Sequence, residues 1–352
     1  AIPGRDLFVA ASEQDSRDDK FRSALTIYKL KNTRRYPTLQ SAYRADGTPI
    51  PWGALSALAY SHGHDGIYSV YDSFYRKSRI FRIEAPERHG RITDEIVLID
   101  ASDVLKNTHS VEFVEDELTR RINLGDLVNE DNTVNLDPEG LTISQDGLGF
   151  WLASEGNGNL VKGVNDPDNR PFNWPNLLLR IAYDGSIEQV VQLPSALERN
   201  QLRFGFEGVA SVQENGAEVL YAAFQREWSA AGDPDGFVRI GRYDTVSGDW
   251  SFAYYQLDEP TSPNGGWVGL SEIVHLQGQQ FAVIERDNQA GSDARIKRIY
   301  RFSIAGMDFR KNPDAGAADN VIAADEKILA RDLIADGDLT RLNGQIIEKV
   351  EG

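Results

Sequence analysis

A pattern of four short strands recurs along the chain and constrains its fold more than any other feature of the sequence. Each copy opens with two apolar, strand-like runs joined by a polar turn, usually Asp-Gly or Asn-Gly, which are the dipeptides that favour tight hairpins. These hairpins occupy residues 55–73, 138–156, 206–227 and 270–287. A third run with a basic residue at a constant place follows each hairpin, and a fourth apolar run ends the copy. The basic residues are Arg82, Arg180, Arg242 and Arg301.

Four antiparallel strands per unit, repeated along one chain, are typical of a β-propeller. The ends of the chain supply parts of one more unit, because 6–15 and 24–32 resemble second and third strands, and 348–352 resembles the start of a first strand. We therefore predict an all-β protein, with one β-propeller domain over 1–352 built from five or six four-stranded antiparallel blades. The N- and C-terminal segments are expected to share one blade and so close the ring. The irregular insertion at 100–135 matches no other part of the chain, and a sixth blade would lie there.

Composition excludes several classes of function. The chain has no cysteine, which rules out disulfides and thiolate metal sites. Its 37 basic and 54 acidic residues give a net charge of −17, which argues against a nucleic-acid partner and suits a protein that binds cations. No stretch approaches the roughly 18 apolar residues of a membrane span.

A chain that begins at Ala1 favours a secreted or periplasmic location after signal cleavage, and trimming of the chain is the other explanation. Its oligomeric state is not indicated.

Glutamate-glycine pairs stand at the start of several first strands, at 139–140, 207–208 and 351–352. First strands line the central channel of a propeller, and glycine lets backbones approach closely there. The hairpin ends bring further acids, namely Glu13, Asp72, Glu155, Glu227, Glu285 and Asp287. Crowded carboxylates raise one another's pKa or require a cation, and oxygen ligands favour Ca²⁺, with another divalent cation as the alternative. A carboxylate-lined calcium site at one end of the channel is the resulting hypothesis. In the alternative, each acid only caps backbone N–H groups or pairs with a repeated arginine.

A long loop at 156–176 directly follows Glu155 and carries Lys162, so we predict a lid or substrate wall there. Arg226, beside Glu227, is the better-placed basic residue for contact with a substrate anion, and Arg180 is the weaker candidate. The chain has neither a G-x-S-x-G nucleophile elbow nor a phosphate-binding loop of the G-x-x-x-x-G-K-[ST] kind. Any chemistry would therefore depend on carboxylates and a metal.

At these motifs the sequence resembles the phytase-like family that is described as having esterase-like activity. The matching stretches include LDPEGLTIS, GLGFWLASEG, GFEGVASV, FAVIERD and EKVEG, which together extend over most of the chain. The resemblance implies a β-propeller and the hydrolysis of ester or phosphoester bonds with a divalent metal. Carried over by position, the motif acids of the family are Asp137, Glu139, Glu155, Glu207, Glu227 and Glu285, and Arg180 is the recurring basic residue.

Together these features predict a calcium-dependent hydrolase that acts on a small phosphorylated or ester substrate. The six motif acids would hold the metal. The catalytic residues would be Glu155, Glu227 and Arg226, and Lys162 and Arg180 would bind the substrate. Because a fold does not determine a function, the alternative is a non-catalytic, calcium-stabilised extracellular propeller that binds a partner or assembles.

Overall fold

The structure is a computed structural model, and strands dominate it. It describes residues 7–13, 23–29, 38–61, 63, 66–72, 76–84, 89–108, 112–115, 118–121, 123–156, 174–198, 200, 204–336, 341–342 and 345–346. The chain forms two compact units. One comprises Ala1–Gln40 and Ala85–Arg91, and the other comprises Ser41–Glu84 and Ile92–Gly352. The single domain over 1–352 stays a prediction.

In the smaller unit, two strands form an antiparallel hairpin, β1 (Leu7–Glu13) and β2 (Ser23–Lys29). The first large sheet, which we call blade 1, has the spatial order β3-β7-β6-β5-β4. Its strands are β3 (Thr38–Ser41), β4 (Leu55–Ser61), β5 (Gly66–Tyr71), β6 (Arg79–Glu84) and β7 (His89–Val97). The segment after blade 1 contains α1 (Val104–Asn107), β8 (Glu112–Glu115), β9 (Leu118–Arg121) and a 3₁₀ turn (Leu124–Leu127).

Blade 2 is a sheet of four sequential antiparallel strands, followed by one helical turn. Its elements are β10 (Pro138–Ile143), β11 (Gly149–Ser154), β12 (Leu177–Ala182), β13 (Ile187–Gln192) and α2 (Ser195–Glu198). Blade 3 begins in the same way. Its elements are β14 (Phe206–Glu214), β15 (Ala217–Phe224), a 3₁₀ turn (Ser229–Ala231), β16 (Phe237–Asp244) and β17 (Trp250–Gln256).

Blade 4 ends in a segment that returns to blade 3. Its first three strands are β18 (Val268–Gln277), β19 (Gln280–Asp287) and β20 (Lys297–Ser303). After a 3₁₀ turn (Ala318–Asn320), β21 (Val321–Ile322) adds to blade 3 parallel to β17, and β22 (Ile328–Asp332) then completes blade 4. A short hairpin follows, formed by β23 (Arg341–Leu342) and β24 (Gln345–Ile346).

The all-β propeller with antiparallel blades is confirmed, but the predicted number of blades is wrong. The described residues form four blades in a propeller ring, not five or six. Among the described residues, the 100–135 segment forms a helical turn, a two-stranded hairpin and a 3₁₀ turn, and β1 pairs with β2 alone. Two strands alone present too little surface to act as a blade. The predicted closing strand at 348–352 lies outside the described residues.

Close approach of the inner strands explains the glycines of the Glu-Gly pairs. A Cβ atom placed on Gly140 in β10 would lie 2.8 Å from the Cα of Gly208 in β14. One placed on Gly208 would lie 2.6 Å from the backbone nitrogen of Ile273 in β18. The inner strands of consecutive blades thus touch backbone to backbone, as the sequence predicted.

Three apolar clusters fill the spaces between consecutive blades. Leu141 and Leu152 of blade 2 pack with Val70 of blade 1, and Trp151 and Phe206 belong to the cluster that joins blades 2 and 3. The third cluster joins blades 3 and 4 and includes residues such as Tyr221, Leu270 and Phe281. Each blade therefore buries apolar side chains on its faces, as expected for stacked sheets. Among the described residues, no helix has the length and apolarity needed to cross a membrane.

Replacement of Gly140 by alanine tests the backbone contact. Because the new Cβ would meet backbone rather than a movable side chain, we expect Gly140→Ala to lower the free energy of unfolding by about 2 kcal/mol. Gly63 has no atom within 4 Å of its Cβ position. Gly63→Ala should therefore change the free energy of unfolding by less than about 0.5 kcal/mol. Urea unfolding followed by tryptophan fluorescence measures both, and equal effects would contradict the close approach.

Candidate metal centre

A β-bulge interrupts the start of every inner strand. In blade 2, Pro138 pairs with Ser154 and Gly140 with Ala153, so Glu139 is an extra residue in the ladder. A bulge takes its extra residue out of the pairing and redirects its side chain. The extra residues of the four blades are Ser56 with Ala57, Glu139, Glu207 and Ser271. The redirected side chains of blades 1 and 2 are in contact. The Ser56 hydroxyl donates a hydrogen bond to Glu139 Oε2 at 2.7 Å.

Three carboxylates converge beside this contact. Oxygen atoms of Asp72, Asp137 and Glu139 all lie within 4.8 Å of one another. Asp72 follows β5 at the end of the blade 1 hairpin, whereas Asp137 and Glu139 flank the first residue of β10. Two further acids, Glu155 and Glu207, act electrostatically on Glu139. We call these five residues the carboxylate cluster.

Burial and repulsion within the cluster shift the ionisation of Glu139. Burial is the largest cause, and the charges of Glu207, Asp137, Asp72 and Glu155 add to it, so that the pKa of Glu139 is raised well above its usual range. Such a group either stays protonated or is neutralised by a cation. Oxygen atoms are the ligands that hard divalent cations prefer, so the cluster fits a metal of the Ca²⁺ kind.

Neutral donors hold the outer acids of the cluster. The backbone N–H of Gly205 donates to Glu155 Oε1 at 3.0 Å, and the side-chain amide of Gln225 donates to Glu207. These bonds orient the carboxylates. Glu155 is partly exposed, whereas Glu207 is buried.

A buried pair, Asn176 and Glu198, lies behind Glu155 and Glu207. The Asn176 side-chain oxygen accepts hydrogen bonds from the backbone N–H groups of Gly156, at 3.0 Å, and Phe206, at 2.9 Å. Glu198 Oε1 in turn accepts from the backbone and side-chain nitrogens of Asn176, both at 2.9 Å. Burial raises the pKa of Glu198 from its ordinary value of 4.5 to about 7, although both bonds from Asn176 oppose this shift. Nothing in the sequence pattern marked either residue.

Arg226 and Glu227 line a cavity of about 270 Å³, together with residues such as Asp258, Trp267 and Val268. The Arg226 guanidinium donates to Glu227 Oε1 at 2.7 Å and stacks 5.1 Å from the ring of Phe204 and 5.0 Å from that of Trp267. Arg226 directly follows Gln225, the partner of Glu207. The structure therefore gives Glu227 a guanidinium partner, and its role as a metal ligand stays a prediction.

Glu285 is likewise tied into an ion-pair network. Its carboxylate accepts from Lys327 Nζ at 2.8 Å and from the Tyr255 hydroxyl at 2.9 Å. Lys327 also pairs with Asp258 at 2.7 Å. A buried lysine therefore neutralises Glu285, and its role as a metal ligand stays a prediction.

Arg180 forms an ion pair with Asp146, and its role in substrate binding stays a prediction. Its Nη2 atom donates to both carboxylate oxygens of Asp146, each at 2.9 Å. Asp146 lies in the β10–β11 turn. This turn is one strand length, or about 20 Å, from the bulge that holds Glu139. Lys162, and with it most of the 156–176 loop, lies outside the described residues, so its predicted role in binding substrate stays a prediction.

Asp72 is the cluster member that the predicted ligand set lacked. The sequence placed it among the hairpin-end acids, in the position that Glu155 occupies in blade 2. The family resemblance implied six other acids and did not include it. The hairpin-end position was the signal that could have identified it.

The fold and the cluster define a β-propeller with a carboxylate-lined candidate metal centre. The family model described as "Phytase-like: Esterase-like activity of phytase" matches residues 50–352. The chain therefore belongs to the phytase-like family, as the motifs predicted, and that description indicates a hydrolase with esterase-like activity.

Neither the curated proteins nor the solved structures give information about the function of this chain. A search of curated proteins finds no match. Among solved structures, the chain is similar to Kuenenia stuttgartiensis Hydrazine Synthase at 13% identity and a TM-score of 0.36. The match covers 74% of this chain and 66% of that one, which is just under two thirds of it. A likeness at this level carries nothing about the function of this chain.

The raised pKa of Glu198 predicts a specific pH dependence. Between pH 4.5 and 7 the folded protein keeps the Glu198 proton while the unfolded chain loses it, so the free energy of unfolding falls as the pH rises and levels off above pH 7. Relative to Glu198→Gln, wild type should lose about 3 kcal/mol over this window. Urea unfolding of both proteins in chelator measures the difference, and parallel pH profiles would contradict a raised pKa.

Proposed function

We propose that this chain is a metal-dependent hydrolase that cleaves phosphoester or ester bonds of a small substrate, with Ca²⁺ as the metal. The carboxylate cluster carries the proposal, since four neighbouring acids and burial raise the pKa of Glu139 in a chain of a phytase-like family. A purely structural site would need no such concentration of negative charge. An exported location, where calcium is plentiful enough for weak carboxylate sites, accords with the proposal.

Asp72, Asp137 and Glu139 would hold the ion, because their oxygen atoms already lie within 4.8 Å of one another. Glu207 and Glu155 stand next to them and would complete the negative charge of the site. This set keeps four of the six predicted ligands, adds Asp72, and omits Glu227 and Glu285. When bound, a divalent cation would polarise a phosphoryl or carbonyl oxygen and lower the pKa of a bound water.

Glu155 would act as the general base. It is a partly exposed member of the cluster, so solvent and substrate can reach it, and the Gly205 N–H fixes one of its carboxylate oxygens. A carboxylate held in this way can take a proton from an attacking water, and general-base catalysis of this kind needs a positioned side chain.

Arg226 would bind the negative charge of the substrate. Two aromatic rings and Glu227 hold its guanidinium in place beside the cavity, so little side-chain freedom is lost when an anion binds. The net charge of −17 repels anions at a distance, and a local guanidinium with a bound cation would reverse that field at the site. In this arrangement Glu227 orients Arg226, and neither residue contacts the metal.

Turnover assays with and without calcium test the proposal. We expect wild type to hydrolyse p-nitrophenyl phosphate, bis(p-nitrophenyl) phosphate or p-nitrophenyl acetate, and chelator to abolish the reaction. At saturating calcium, Glu155→Gln should lower kcat by about a hundredfold or more, because the base is lost.

Glu214→Gln serves as the control, since Glu214 bonds to Tyr221 and Arg242 near the β14–β15 turn, away from the bulge. Its kcat should match that of wild type. No turnover with any of the three substrates, together with a melting temperature that calcium still raises, would contradict the hydrolase and favour the non-catalytic propeller.

A further inference from the structure

Asn176 joins the two chain segments that carry Glu155 and Glu207. It precedes β12 in blade 2, and its side-chain oxygen accepts from the N–H groups of Gly156 and Phe206. Gly156 directly follows Glu155, and Phe206 directly precedes Glu207. One amide oxygen therefore holds together the backbones of two acids that belong to different blades.

Glu198 determines which way the Asn176 amide faces. Its Oε1 atom accepts from Asn176 Nδ2 at 2.9 Å, so the nitrogen end of the amide points to Glu198 and the oxygen end to the two N–H groups. Without that acceptor the amide could rotate by half a turn and place its NH₂ group against N–H donors. Asn176 and Glu198 are 0% and 1% exposed, so water cannot substitute for the missing acceptor.

The second carboxylate oxygen of Glu198 makes no hydrogen bond within the described part of the chain. A buried polar atom without a partner costs free energy, which an apolar side chain of the same size would avoid. A carboxylate at this position therefore lowers the stability of the fold, which is consistent with a role in orienting Asn176.

We infer that Glu198 is a positioning residue for the metal centre, which acts through Asn176 to fix the separation of Glu155 and Glu207. This inference rests on the proposed metal centre. Partners that orient the groups around a bound metal commonly change its affinity by about 10- to 100-fold. Glu198 would thus set the affinity of the cluster for a divalent cation without touching the ion.

Calorimetric titration of the chelator-treated, full-length chain with Ca²⁺ tests the inference. Glu198→Met keeps the side-chain volume but removes the acceptor, and its Kd for Ca²⁺ should rise about tenfold or more. Glu198→Gln keeps a carbonyl oxygen for Asn176 and should bind Ca²⁺ like wild type. Glu214→Met removes a comparable acceptor near the far end of β14 and should also bind like wild type.

The outcomes separate the two hypotheses. If wild type binds no Ca²⁺, the proposed metal centre fails and this inference fails with it. If wild type binds and Glu198→Met binds equally well, or Glu214→Met is weakened as much, the positioning role is overturned while the metal centre stands. If Glu198→Met does not fold, Asn176→Ala decides, because it removes the bonds to Gly156 and Phe206 directly. Unchanged affinity in that variant overturns the role, and a rise of the same size supports it.

Discussion

Repulsion between buried carboxylates is the interaction on which the rest of this structure depends. Burial and the charges of four acids from three blades raise the pKa of Glu139 well above its usual range. Like charges at such distances in a poorly solvated place destabilise the fold unless a proton or a cation compensates them. The apolar clusters between blades and the backbone contacts of the inner strands must supply the free energy that holds these acids together. The site is therefore a property of the ring and cannot belong to any single blade.

Two small backbone features deliver the acids to that place. The bulge at the start of each inner strand removes one residue from the ladder, and in blades 2 and 3 this residue is a glutamate. The glycine that follows lets the next inner strand approach to contact, so glutamates of neighbouring blades come close enough to interact. In blade 1 the same position is Ser56, which donates a hydrogen bond to Glu139. One blade thus supplies a neutral donor where the next supplies a charge, which limits the repulsion.

Much of this could be predicted from the sequence, because hairpin turns and Glu-Gly pairs are local signals. Asn215 and Gly216 adopt left-handed conformations at their turn, with φ of 48° and 84°, as an Asn-Gly hairpin requires. The number of blades could not be predicted, since strand-like runs near the N-terminus have the same local pattern whether or not they join a four-stranded sheet. The ion pair of Glu285 could not be predicted either, because its partner Lys327 lies 42 residues further along the chain. Local spacing also gave no indication of Asn176 and Glu198, whose roles come entirely from contacts between distant segments.

Anomalous diffraction from crystals grown with Mn²⁺ in place of Ca²⁺ tests the central claim most directly. The account predicts an anomalous peak bounded by the carboxylates of Asp72, Asp137 and Glu139, at metal–oxygen distances of about 2.0–2.6 Å. It would be contradicted by crystals that show no peak there, with the same carboxylates hydrogen-bonded to one another through shared protons. In that case protonation alone would relieve the repulsion, and the cluster would not be a metal centre.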